Sequence, residues 1–98
     1  MKIAMICYSL TGESTGLRLK EGLEKLGHSV QLWEKSKYLP DSIKESCSQW
    51  TGDRFGDSQA VIFIGACGIA VRSIAPFVAS KKTDPAVLVV DECSRFVI

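Results

Sequence analysis

Three short runs of this 98-residue chain carry the residue types that do chemistry. The first is Ser9-Leu10-Thr11-Gly12-Glu13-Ser14, where hydroxyls surround a glycine just ahead of a helical pattern. Hydroxyls and N–H groups at a helix start can hold an anion; the plainer use of Ser9 or Thr11 is to cap the helix. The second is Gly65-Ala66-Cys67-Gly68, followed by Arg72. Its glycines would let a ligand come close to the backbone. Arg72 stands among Ile69, Ala70, Val71, Ile74 and Ala75, near a helix N-terminus, where the dipole disfavours a cation. It therefore calls for an anion, either on a ligand or on the protein itself, for example Asp91. Cys67 at the same helix start reads as a reactive thiol or as a small buried one. The third run is Asp91-Glu92-Cys93-Ser94-Arg95, whose carboxylates could activate water.

These runs need a frame that brings them together. Residues 3–8, 60–64 and 86–90 are apolar without alternation, as expected of strands buried on both faces of a parallel sheet. Val30, Leu32 and Trp33 suggest a further strand. Leu19, Leu23 and Leu26 recur at helical spacing and stop at Gly27. Ser42 and Glu45 fit a capping box, with Ile43, Cys47 and Trp50 as one stripe behind it and Gly52 and Gly56 at the exit. Residues 69–79 read as a helix kinked at Pro76. Phe96-Val97-Ile98 starts another strand.

The resulting order, β-α-β-α-β-α-β and a strand fragment, predicts an α/β fold: a three-layer, doubly wound open parallel sheet. The strand order expected is 2-1-3-4, with any fifth strand beyond the fourth. Ending on an apolar strand suggests a single domain, residues 1–98, that is the N-terminal portion of something larger. In such sheets ligands bind outside the carboxyl ends of the strands, the edge that collects all three runs. His28, the only histidine, falls at the opposite edge and reads as a solvated turn residue. Asp84-Pro85 falls there too.

Composition excludes several classes. Residues 1–49 carry seven Lys/Arg and six Asp/Glu, and residues 50–98 five of each, so no basic face marks a nucleic-acid binder. No apolar run approaches the roughly 20 residues of a membrane span. The N-terminus lacks the pattern of a signal peptide. Cys7, Cys47, Cys67 and Cys93 form no C-x-x-C, and a single histidine gives little to a metal site. Reduced thiols in a cytoplasmic protein, with no protein-held metal, are the expectation.

Two resemblances follow from these residues. Thr11-Gly12-Glu13-Ser14 is similar to the T-G-N-T phosphate loop of flavodoxins, which implies a flavodoxin/Rossmann-like domain holding FMN or another phosphate. The second is much longer. Val61 to Pro76, including Gly68-Ile69-Ala70-Val71-Arg72-Ser73-Ile74-Ala75-Pro76, with Lys82 to Glu92 around Asp84-Pro85-Ala86-Val87, and Arg95-Phe96-Val97-Ile98, closely resemble the N-terminal region of the cobalamin biosynthesis protein CbiG family. The family patterns are G-I-A-V-R-x-I-A-P, K-x-x-D-P-A-V and V-x-D-E-x-G-R-F-V-I. Those proteins are cobalt-precorrin-5A hydrolases of anaerobic cobalamin synthesis. They open a δ-lactone on a cobalt-containing macrocycle and release acetaldehyde.

The resemblance implies a cobalt-containing corrinoid intermediate as partner, with the cobalt brought by the substrate and no cofactor of the protein's own. It makes Ser9, Thr11, Gly65, Cys67, Gly68 and Arg72 candidates for the substrate's carboxylates, and Asp91 and Glu92 candidates for the base. Two departures stand out. Ser94 replaces the family's glycine, and the S-G-H and G-G-A-N segments that follow F-V-I in the family are not in this sequence. The expectation is that the chain works with those further domains or with other pathway enzymes and is inactive alone.

Overall fold

A computed structural model describes residues 1–36, 42–65, 85–90 and 96–97. Five strands form one sheet in the order β2-β1-β3-β4-β5. They are β1 (Lys2–Cys7), β2 (Ser29–Glu34), β3 (Ala60–Ile64), β4 (Ala86–Val90) and β5 (Phe96–Val97). The first four are parallel, and β5 returns antiparallel against Val89 and Val90. This is the expected α/β sheet and the expected strand order, with the fifth strand beyond the fourth.

The unbroken apolar character of β1 and β3 follows from their central places. Alternate residues go to opposite faces, and both faces are covered. Ile3, Met5 and Cys7 join Ile62 and Ile64 in a core closed by Leu19 and Leu23 of helix α1 (Leu10–Lys25). Ala4 and Ile6 join Val61 and Phe63 on the other face, under Trp50 of helix α2 (Cys47–Asp57). Trp50 is completely buried, edge-on to Trp33 and Phe63 with ring centroids at 5.5 and 6.0 Å. The two helices therefore lie on opposite faces. The helix expected over residues 69–79 lies outside the described residues.

Helix α1 comes unusually close to the sheet. Its buried residues are Gly12, Thr15 and Gly16. A β-carbon on Gly16 would lie 2.9 Å from Ile64 Cδ1 and 3.0 Å from Leu32 Cδ1, closer than packed carbon atoms tolerate. The helix closes with the N–H of Gly27 on the carbonyl of Glu24 and the N–H of His28 on that of Leu23, the Schellman pattern expected of a glycine stop.

Two local expectations are corrected. The run from Ser9 to Ser14 is not a loop: α1 begins at Leu10, directly after its cap Ser9. The cap of α2 is Ser46 instead of Ser42, with its Oγ accepting from the Gln49 N–H. Ser42 is occupied elsewhere. It bridges to Glu34 beside the sheet, and its Oγ accepts from the Ser36 N–H at 2.9 Å. Gly52 and Gly56 lie inside α2, which runs on to Asp57.

Candidate functional site at the carboxyl edge

The chain leaves β1 toward β2 on one side and leaves β3 toward β4 on the other. The crevice between the ends of β1 and β3 is thus the point where the strand order reverses, the usual ligand position in open α/β sheets. Tyr8 and Ser9 stand at the end of β1, and Gly65 at the end of β3.

Ser9 has extended backbone, and its Oγ accepts the Gly12 N–H at 2.9 Å. Its carbonyl accepts the Glu13 N–H. The capping use is therefore realised at Ser9. Thr11 is exposed on the first turn. Because residues 10–14 are helical, the T-G-E-S stretch does not form an open phosphate loop. What it offers the edge is a helix N-terminus, with the carboxylate of Glu13 in its first turn.

Gly65 has a φ of +156°, a conformation L side chains rarely adopt, and donates its N–H to the Val90 carbonyl at 2.9 Å. That N–H belongs to the sheet, so it does not serve a ligand. The ring of Tyr8 occupies the space beside Gly65: a β-carbon there would sit 3.0 Å from Tyr8 Cδ2. The Tyr8 hydroxyl lies 3.0 Å from Cys47 Sγ at the start of α2. Burial, then the Cys47 contact, pushes the Tyr8 phenol well above its ordinary range. Sequence reasoning passed over Tyr8 as part of an apolar run. The signal available was its place as the last residue before the cap of α1.

Cys7 is buried at the end of β1, with its thiol pointed at the Trp33 carbonyl at 3.6 Å. Burial, with the nearby charges of Glu34 and Glu13, pushes the thiol up to about 12, so it stays protonated and unreactive at neutral pH. Glu34 is a half-buried carboxylate opposite Cys7 in the β2 register. It joins Glu13 at this edge; the sequence marks β2 only through Val30, Leu32 and Trp33, and a charged last residue adds nothing to that signal.

His28 lies at the far edge, as expected. It is half-buried instead of solvated, and its Nδ1 is buried without a hydrogen-bond partner. Cys67, Gly68, Arg72, Asp91 and Glu92 lie outside the described residues, so the proposed grouping of Arg72 with Asp91 stays an expectation. Among the described residues no cluster of His, Cys, Asp and Glu could hold a metal ion, and no helix is long and apolar enough to cross a membrane.

The fold defines a doubly wound α/β domain whose strand order reverses between β1 and β3. Residues 49–98 match the family described as cobalamin synthesis G N-terminal, and the chain belongs to that family. This membership ties it to cobalamin synthesis. Over 96 residues it is 34% identical to the cobalt-precorrin-5A hydrolase of Salmonella typhimurium (strain LT2), a match covering 98% of this chain and 27% of that protein. Among solved structures, that of a cobalamin biosynthesis protein G homolog from Sulfolobus solfataricus superposes with a TM-score of 0.70 at 21% identity. That match covers 94% of this chain and 26% of the other, and it supports the fold. The chain thus spans about a quarter of the length of each of these proteins.

Proposed function

We propose that this chain supplies the substrate-holding α/β domain of a cobalt-precorrin-5A hydrolase activity, acting on a cobalt-containing corrinoid intermediate in the cytoplasm. The observation that carries this reading is the 34% identity to a protein of that name along nearly the whole chain.

In the proposed reaction, water adds to the lactone carbonyl and the acyl C–O bond breaks. The oxygen that leaves takes up a proton and becomes a hydroxyl. This hydroxyl then gives up its proton as the C–C bond to the macrocycle breaks, so the two-carbon fragment departs as acetaldehyde and the electron pair stays on the macrocycle, which takes up a proton. The substrate bears many acetate and propionate carboxylates. The N-terminus of α1 and Arg72 suit these by charge. The base that takes the proton from water is assigned to Asp91 or Glu92, which follow β4 directly in sequence. The cobalt is the substrate's, and the domain holds no cofactor of its own. The remaining machinery of the activity is assigned to segments such as S-G-H and G-G-A-N, present in the resembling family and not in this sequence.

The test uses dicyanocobyrinic acid, a corrin bearing free carboxylates, as probe. Corrins absorb where tryptophan emits, so a corrin bound at the edge quenches Trp33 and Trp50. Saturable quenching is the expected result, together with no acetaldehyde release when the 98-residue protein is given cobalt-precorrin-5A. Absence of saturable quenching overturns the substrate-holding role. Acetaldehyde release at the rate of a full-length relative overturns the division of labour. A yellow protein with flavin absorption would replace this reading with an FMN-binding one.

A further inference from the structure

The space at the β1/β3 crevice is not left to a loop. Tyr8 follows Ile6 and Ala4 on the α2 side of the sheet and packs on the same core as Trp50 and Phe63. From there its side chain reaches two other element ends. Its Cδ2–Cε2 edge lies against Gly65 at the exit of β3, where a β-carbon would meet those atoms at 3.0 and 3.6 Å. Its hydroxyl lies 3.0 Å from Cys47 Sγ in the first turn of α2. On its other side Gly65 is held by the hydrogen bond to Val90. Gly65 is thus set between the backbone of β4 and the ring of Tyr8, in a conformation that only glycine adopts freely. The run Ala66-Cys67-Gly68 continues from this residue in the sequence.

We propose that Tyr8 is a positioning residue of the ligand edge: its ring fixes the backbone of Gly65, and its hydroxyl ties that point to the start of α2, so that a carboxylate-bearing macrocycle is held more tightly when the ring is in place. The proposal rests on the reading of this edge as the corrinoid site. The ring does the positioning and the hydroxyl only orients it, because the contact with Gly65 is made by ring carbons. A side chain of similar volume without a flat ring would fill the core but leave Gly65 unsupported.

The test compares the parent with Tyr8→Phe and Tyr8→Leu by two measurements. One is the Gly65 amide signal in a 1H–15N spectrum. The other is the quenching titration with dicyanocobyrinic acid. Tyr8→Phe should keep both the Gly65 signal and the affinity close to those of the parent. Tyr8→Leu should move the Gly65 signal and weaken binding by about tenfold. A purely structural residue would lower the unfolding midpoint in Tyr8→Leu without changing the affinity of the folded protein, and that result overturns the proposal. An unmoved Gly65 signal in Tyr8→Leu overturns it as well, whether or not the probe binds. A parent that binds no probe overturns the corrinoid reading instead. Should Tyr8→Leu not fold, the parent alone decides. On saturation with probe, the Tyr8 ring protons and the Gly65 amide should shift together. Binding with neither shifted overturns the role.

Discussion

Two of the three glycines of helix α1, Gly16 and Gly22, have surroundings that differ completely, and the same substitution at each should have different effects. Gly22 has no atom within 4 Å of where a β-carbon would stand. Gly22→Ala therefore adds only helix propensity, about 0.8–1.0 kcal/mol of stabilisation. Gly16→Ala brings the same propensity gain, but its methyl would stand 2.9 Å from Ile64 Cδ1 and 3.0 and 3.1 Å from the two δ-carbons of Leu32. Leu32 is half-buried and can give way, whereas Ile64 is completely buried and has nowhere to move. Overpacking of this kind costs about 1–3 kcal/mol, which leaves Gly16→Ala between neutral and roughly 2 kcal/mol destabilised. Since propensity cancels between the two variants, their difference isolates the contact between α1 and the sheet. The difference should be about 1–3 kcal/mol, with each kcal/mol worth roughly 4–8 °C in Tm for a domain of this size. Thermal unfolding followed by far-UV circular dichroism measures it. Equal stabilisation by the two alanines would show that α1 does not approach the sheet as closely as described, and the placement of its N-terminus at the carboxyl edge would lose its basis.

Three further outcomes are expected. Ser9→Ala removes the cap bond to the Gly12 N–H and should cost about 1 kcal/mol in urea unfolding; unchanged stability would refute the capping role. Arg72→Ala should leave the fold intact and weaken binding of the corrin probe by roughly 10- to 150-fold, the worth of one charge-assisted hydrogen bond; a folded variant with parental affinity removes Arg72 from the site. For Cys7, the thiol begins to ionise near pH 9 in the unfolded chain, while in the folded protein it is held up to about 12. The unfolded state then binds fewer protons, so this group lowers stability as pH rises through that window and has no effect below it. Cys7→Val should flatten the stability–pH curve between pH 9 and 12, and an identical slope in parent and variant would refute the assignment.

The strands and their order were readable because burial on both faces leaves a direct mark: β3 and β4 begin and end where their apolar runs do. The start of α2 was not readable in the same way. Ser42-x-x-Glu45 and Ser46-x-x-Gln49 both fit a capping box, and what separates them is the bridge from Ser42 to Glu34, a contact between segments that no local pattern encodes. The beginning of α1 was obscured for a related reason. The polar run from Ser9 to Ser14 around Gly12, a poor helix former, reads as loop, yet Gly12 belongs with Thr15 and Gly16 to the face that lets the helix lie close on the sheet. Here tertiary packing outweighs propensity. The carboxyl edge was correctly placed by strand polarity. Glu34 carried no signal of its own, because β2 is marked in the sequence only by Val30, Leu32 and Trp33. Tyr8 was missed because its partners, Gly65 and Cys47, are known only from the fold.

The central position of β1 also has a consequence in time. Residues 1–34 can form a βαβ unit as soon as they exist, since β1 and β2 pair across a single helix. The other side of β1 must wait for β3, and the meeting is marked by Lys2 donating its N–H to the Gln59 side chain, 57 positions away. Until residues 47–64 arrive, Ala4 and Ile6 have no helix above them, and one edge of this central strand stays open to other chains. Closing a long loop before its contacts can be rewarded is slow, and exposed strand edges invite aggregation meanwhile. The assembly of β3 onto β1 is therefore the step at which a growing or refolding chain is most exposed to misassociation.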